Sequence, residues 1–250
     1  TEAQMRGRMI MSTVMQAVAG LSQIVDHSFD GVPNGQPSIS EFIRRNYALV
    51  KADVAAHPSE GNSFGLNKYQ EKGVRQGAYI VSNGTAPLIP FEFGSGAWDI
   101  QVVPEAQHDD ATVQNLLDAF GITRDDYFTL VEIGTDSTGN QVAAYFRYKI
   151  KASVNLTDVI GTVGINNIFD VESNVGTAQL PTLDWTTGKL YFMSKLTQPA
   201  GGCITSVKSA DGWIHSETIL VAPAAPTFTA DVALPTYPVG AARFLNGGEI

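Results

Sequence analysis

The pentapeptide Gly61-Asn62-Ser63-Phe64-Gly65 carries the G-x-S-x-G spacing of a serine nucleophile. In hydrolases that spacing works because a strained strand-to-helix turn lifts the serine toward a histidine and the oxyanion donors. Here a helical pattern ending at Pro58 precedes the motif, and polar, loop-like residues follow it. The flanks therefore predict a loop. Two carboxylate pairs, Asp109-Asp110 and Asp125-Asp126, are of the type that divides acid and base roles or holds Ca²⁺ through oxygen. Each stands at an expected helix or strand boundary, where aspartate caps a helix or closes a turn, and neither has calcium-loop spacing. Gly94-Ser95-Gly96 follows a strand pattern, but no third glycine or Lys-Ser/Thr completes a dinucleotide or phosphate loop.

The four histidines, His27, His57, His108 and His215, are dispersed and form no HExxH or HxH pattern. Cys203 is the single cysteine, which rules out an intramolecular disulfide and a cysteine zinc site. The expectation is no catalytic residue, no cofactor and no metal, with an enzyme the less favoured class. Asn83-Gly84-Thr85 and Asn155-Leu156-Thr157 are glycosylation sequons that matter only on a eukaryotic secretory route.

The most unusual cluster is Met5, Met9, Met11 and Met15, four of the five methionines of the chain, interspersed with Arg6 and Arg8. Unbranched, polarizable methionine adapts to irregular partners, and basic amphipathic helices lie at membrane interfaces. These six residues are the expected contact set for a partner or for lipid; packing on the protein's own core is the competing use. The stretch imitates a signal peptide, with Arg6 and Arg8 before Met9 to Gln16 and a small-residue Ala17-Val18-Ala19 box. Ser12, Thr13 and Gln16 interrupt its apolar run, so a targeting signal is not the expectation. No run of eighteen apolar residues occurs to span a bilayer as a helix.

The elements around these residues follow from periodicity. Apolar residues at Met5, Met9, Ile10, Val14, Ala17, Val18, Leu21, Ile24 and Val25 predict an amphipathic helix from Glu2 to about Val25. After the turn-rich stretch 30–37, Ser38 and Glu41 read as a capping box, and Ile39, Phe42, Ile43, Tyr47, Val50 and Val54 predict a second helix ending at Pro58. Strand patterns follow at 78–81, 88–93 and 98–103, then a helix capped by Asp109 or Asp110, lined by Val113, Leu116, Leu117 and Phe120 and stopped at Gly121. A hairpin is predicted from Tyr127–Ile133, a turn over 134–140, and a return strand Gln141–Lys151 with Arg147, Lys149 and Lys151 on one side. Further strands are expected at 189–196, 203–207, 213–221 and 227–234, with a tight turn at Asp211-Gly212.

The fold class expected is α+β: an N-terminal amphipathic helix pair followed by a predominantly antiparallel β body with one inserted helix. A boundary near Pro58 separates a helical segment, 1–58, from a β-rich body, 59–250, which ends in a Pro/Ala-rich arm at 221–238; one domain overall is compatible with this. The charged fraction of 16% is well below the roughly 25% typical of soluble domains, so neutral polar residues must coat the surface. That composition leans toward an extracellular or virion location. A net charge of −9 with 16 Lys and Arg argues against nucleic acid. Residues 1–75 hold eight cations against seven anions, which leaves eight against eighteen in the rest. The expected function is a non-enzymatic, self-assembling structural protein, a homo-oligomer using the N-terminal helix and C-terminal arm as contacts. A membrane-active pore-forming cytolysin is the alternative and a hydrolase the third reading.

Overall fold

The opening helical pattern forms a helix because its aliphatic residues fall on one side and only two glycines interrupt it. In the computed structural model it is α1, Glu2–Val25, followed by α2, Gln36–Ala56. In chain order come β1, Ile80–Ser82; β2, Glu92–Gly94; β3, Ala97–Gln101; α3, Val113–Phe120; β4, Tyr127–Thr135; and β5, Gln141–Ile150. A short α4, Ile160–Val163, and a 3₁₀ turn at Ile165–Asn167 precede β6, Phe169–Val175. The chain continues through β7, Thr182–Asp184; β8, Lys189–Met193; β9, Thr197–Ser209; β10, Gly212–His215; and β11, Thr218–Ile219. The structure describes residues 2–56, 79–94, 97–101, 110–135, 141–175, 180–194 and 196–220.

The protein is an α+β fold in which every described strand pairing within the sheets is antiparallel. Five strands form one sheet in the order β10-β9-β4-β5-β6, four form a second in the order β2-β3-β8-β7, and β1 pairs with β11. β4 lies at the centre of the first sheet and is buried on both faces. Phe128 and Leu130 point to one side with Phe146, Tyr148 and Cys203, while Val131 and Ile133 point to the other with Ile204.

The first of these faces packs against the four-stranded sheet and α3, through Trp98, Ile100, Leu190, Phe192, Leu116, Leu117 and Phe120. Phe128 is the hub of a ring cluster, with Phe120, Tyr148, Phe169 and Phe192 within 5.2–5.9 Å between centroids. The approach of the two sheets requires Gly201, because a Cβ there would collide with the Phe93 ring. The Trp98 indole N–H then reaches the Gly202 carbonyl at 3.2 Å.

The opposite face is covered by the helix pair. Ile10, Val14, Ala17, Val18, Leu21, Ile24 and Val25 of α1 share one buried cluster with Phe42 and Val50 of α2 and with Val131, Ile133 and Ile204 of the sheet. The aliphatic side of α1 is therefore core, shared between the helical segment and the strands.

Two expected caps are placed differently. α2 begins at Gln36, so Ser38 lies inside the first turn, and its hydroxyl donates to the carbonyls of Pro33 at 3.0 Å and Asp26 at 3.1 Å. Glu41 is taken by Arg44 and Arg45 instead of by the cap. Hydrogen bonding from Arg44, opposed by burial and reinforced by Arg45, pulls the Glu41 carboxyl down to about 2. Pro37 fits the first turn, where its missing N–H has no intrahelical partner to lose. α3 is capped by Thr112, not by Asp110: the Asn115 N–H donates to Thr112 Oγ1, and Asn115 Oδ1 accepts from the Thr112 N–H at 2.9 Å. Gly121 stops α3 as expected, with φ of 67°.

The 127–150 hairpin stands where its alternation placed it. β6 and β7 have no counterpart in the sequence-based expectation: the first is an edge strand with a polar face, and the second is three residues long, too short to show a period. Asp109, the hairpin turn 136–140, residues 102–103, the 58/59 boundary, the expected strand 227–234 and the Pro/Ala-rich arm lie outside the described residues.

Two measurements check this packing. Leu21→Ala should cost about 2–4 kcal/mol in urea unfolding, while Met15→Ala on the outer side should stay within about 0.5 kcal/mol; equal costs would place the buried stripe elsewhere. Burial pushes the Cys203 thiol far above its ordinary value. The native protein should therefore ignore a thiol-specific disulfide reagent that titrates one thiol after denaturation, and prompt reaction of the native form would contradict that burial.

Candidate functional site

One rung of the five-stranded sheet carries Tyr127, Ser206 and His215 side by side on the helix-facing side of β4, β9 and β10. One step along, Arg147 of β5 stands opposite Thr129, and Trp213 of β10 precedes His215 by two residues, on the same face. α1 ends at Val25, so it covers Tyr145 and Ala143 but not this end of the sheet. The α1–α2 connection closes the gap. Its residues His27, Phe29, Asp30 and Val32 wall a cavity of about 400 Å³ whose floor is Tyr127, Arg147, Trp213 and His215.

The wall is pinned by backbone bonds. The Asn83 N–H donates to the Ser28 carbonyl and the Asp30 N–H to the Asn83 carbonyl, both at 2.9 Å, so the connection runs beside the end of β1. Gly84 is required here, because a Cβ would overlap the Asp30 carboxylate and the His215 carbonyl. Arg45 braces the same wall from α2: it donates to Asn83 Oδ1 at 2.9 Å and lies 5.7 Å from the Phe29 ring centroid.

On the floor, the Arg147 guanidinium lies 4.4 Å from the Tyr127 ring centroid, and Tyr127 in turn lies 4.6 Å from Trp213. Arg147 Nε donates to Thr129 Oγ1 at 3.4 Å. Stacking on an aromatic face and a single side-chain hydrogen bond orient the guanidinium without neutralising it. Trp213 is 42% exposed at the rim.

His215 is buried, with Nδ1 at 2.8 Å from Ser206 Oγ and its backbone N–H donating to Asp30 Oδ1 at 3.0 Å. Burial holds the imidazole below its ordinary value; Asp30 opposes this, while Arg147 and His27 add to it. The ring is therefore neutral near pH 7. Ser206, His215 and Asp30 do not make a nucleophilic triad. Asp30 takes the backbone N–H instead of orienting the ring, and Ser206 is only 1% exposed. The arrangement fixes the imidazole as part of the cavity floor.

The expected contact residues lie elsewhere. On α1, Met11 and Met15 are 42% and 44% exposed and stand one turn apart, with exposed Arg8 one turn before Met11. The side chains of Met5, Arg6 and Met9 lie outside the described residues, as do His57, His108 and the whole of Gly61–Gly65 with Ser63. Asp126 is structural: Oδ2 accepts from the N–H and hydroxyl of Thr123, and Oδ1 from the Lys208 N–H at 2.9 Å. Asn83 is engaged by Arg45, whereas Asn155 is exposed in a turn with Asp158.

Among the described residues no three His, Cys, Asp or Glu side chains converge to hold a metal ion. No described helix is long and apolar enough to cross a membrane. The sequence patterns passed over His27 and His215 as dispersed, and no local spacing links them, since Asp30 and His215 are 185 residues apart. Neither a protein-family model, nor a curated protein, nor a solved structure matches the chain.

The lowered His215 value has a definite sign. The unfolded chain takes up the histidine proton more readily than the folded one, so this group's contribution is complete above the ordinary value of 6.5 and is lost as pH falls from there through the lowered value of the folded state. Between about pH 7.5 and about pH 5.5, the melting temperature of the wild type should drop further than that of His215→Gln, by on the order of 1 °C or more. Identical drops would mean that His215 is as free to protonate in the fold as out of it.

Proposed function

We propose that the protein is a non-enzymatic component that assembles with copies of itself, as part of a virion or an extracellular structure, through the outer side of α1. The observation that supports this reading is the exposed pair Met11 and Met15 on a helix whose aliphatic side is already buried. Methionine is enriched at protein interfaces, where Lys and Glu are depleted, and its flexible thioether conforms to a neighbour's surface. The low charged fraction of 16% fits a surface that is partly covered in an assembly. The C-terminal arm is the second proposed contact element.

A membrane-active protein of the pore-forming cytolysin class is the second reading, favoured by Arg8 standing on the same side as the two methionines. It ranks lower on physical grounds. Full insertion of α1 into lipid would strip Val131, Ile133 and Ile204 of their cover, and each such side chain is worth about 1.5–3 kcal/mol when buried.

Light scattering after size exclusion tests both readings on the full chain, with dye-filled liposomes as a parallel assay. The expected result is a defined oligomer without lipid, intact liposomes, and conversion to monomer in a Met11→Glu/Met15→Glu variant that melts within a few degrees of wild type. A wild-type monomer that leaves liposomes intact would overturn both readings. Dye release lost in the double variant would put the cytolysin in first place.

A further inference from the structure

We infer that the cavity between the α1–α2 connection and the helix-side face of the five-stranded sheet binds a small organic monocarboxylate with a flat apolar body, paired to Arg147 and stacked against Trp213. This inference is independent of the assembly reading, since the cavity and the outer side of α1 share no residue.

The volume of about 400 Å³ lies within the roughly 300–1,000 Å³ range of small-molecule sites. Its chemistry is set by one fixed cation. Arg147 is stacked over Tyr127 and held at Nε by Thr129, so the guanidinium is oriented before any ligand arrives. Hydrogen bonding through Nε leaves the terminal Nη groups as the donors that pair with a two-oxygen acceptor. Among the described residues no carboxylate forms an ion pair with Arg147, so an anion would be its first direct ion-pair partner.

Charge narrows the choice among anions. Asp30 brings a negative charge to the opposite wall, where its oxygens accept the backbone N–H groups of His215 at 3.0 Å and Thr85 at 3.4 Å. The buried imidazole of His215 adds no positive charge near neutral pH. Arg147 and Asp30 together leave the cavity near neutral, so a monoanion paired directly to the guanidinium meets less repulsion from Asp30 than a phosphate dianion would. Trp213 supplies the rest of the recognition: its indole is tilted 51° to Tyr127 and open at the rim, a surface on which a planar apolar group stacks.

The test is a calorimetric titration of the full chain with sodium benzoate, with benzyl alcohol as its uncharged counterpart and inorganic phosphate as the competing anion. Saturable one-to-one uptake of benzoate is expected, at least about tenfold weaker in Arg147→Lys and in Trp213→Ala. Benzyl alcohol should give no saturable heat, and phosphate should bind more weakly than benzoate. Trp213→Ala alters an exposed rim residue, so it tests the site even if Arg147→Lys fails to fold. Four outcomes would each overturn the inference: no saturable uptake of benzoate by the wild type up to about 10 mM; benzyl alcohol binding as well as benzoate; phosphate binding more tightly; or full benzoate affinity in Trp213→Ala.

Discussion

Everything in the described architecture depends on the burial of β4 from both sides. A strand with one wet face needs a single covering layer, but Phe128 and Leu130 on one side and Val131 and Ile133 on the other all lie out of solvent. The five-stranded sheet must therefore be the middle of three layers. The four-stranded sheet with α3 closes one side through an aromatic cluster, and the helix pair closes the other through aliphatic side chains. Gly201 and Gly202, side by side in β9, mark how closely the layers approach: Phe93 takes the place of a side chain at the first, and Trp98 bonds the carbonyl of the second.

The helix layer is shorter than the sheet it covers, and the cavity is a consequence of that mismatch. α1 ends at Val25 while the sheet runs on past Arg147 and Tyr127 to Trp213. A polar connection carrying His27 and Asp30 spans the remainder, held down by Asn83, Gly84 and Arg45. Aliphatic residues face the sheet where the helix lies on it, and aromatic, cationic and imidazole groups appear where it does not. Along β5, Ala143 and Tyr145 meet α1, and the next residue on that face, Arg147, meets the cavity.

This arrangement also separates two surfaces. The methionines of α1 that remain exposed point away from the sheet, and the cavity opens at the far end of the same helix beside the first turn of the connection. Met11 and Met15 are not among the residues that line the cavity, so the proposed assembly contact and the proposed ligand site use different side chains.

What the sequence determined by itself is local. The seven-residue aliphatic stripe of α1, the Val113-Leu116-Leu117-Phe120 face of α3, the Gly121 stop and the alternation of the 127–150 hairpin are each readable, because a helix or strand imposes its period on neighbouring residues. Caps were less legible: Ser38 and Asp110 have capping chemistry, yet a proline tolerated in a first turn and a Thr112–Asn115 pair set the actual starts of α2 and α3. Methionine spacing likewise did not say which side of α1 would be spent on the core; the sheet's demand for close-packed aliphatic surface decided that. Only the tertiary structure produced the cavity. Tyr127, Arg147 and His215 come from three strands and Asp30 from a connection 185 residues before His215, and their meeting depends on strand register, which no single stretch of chain encodes.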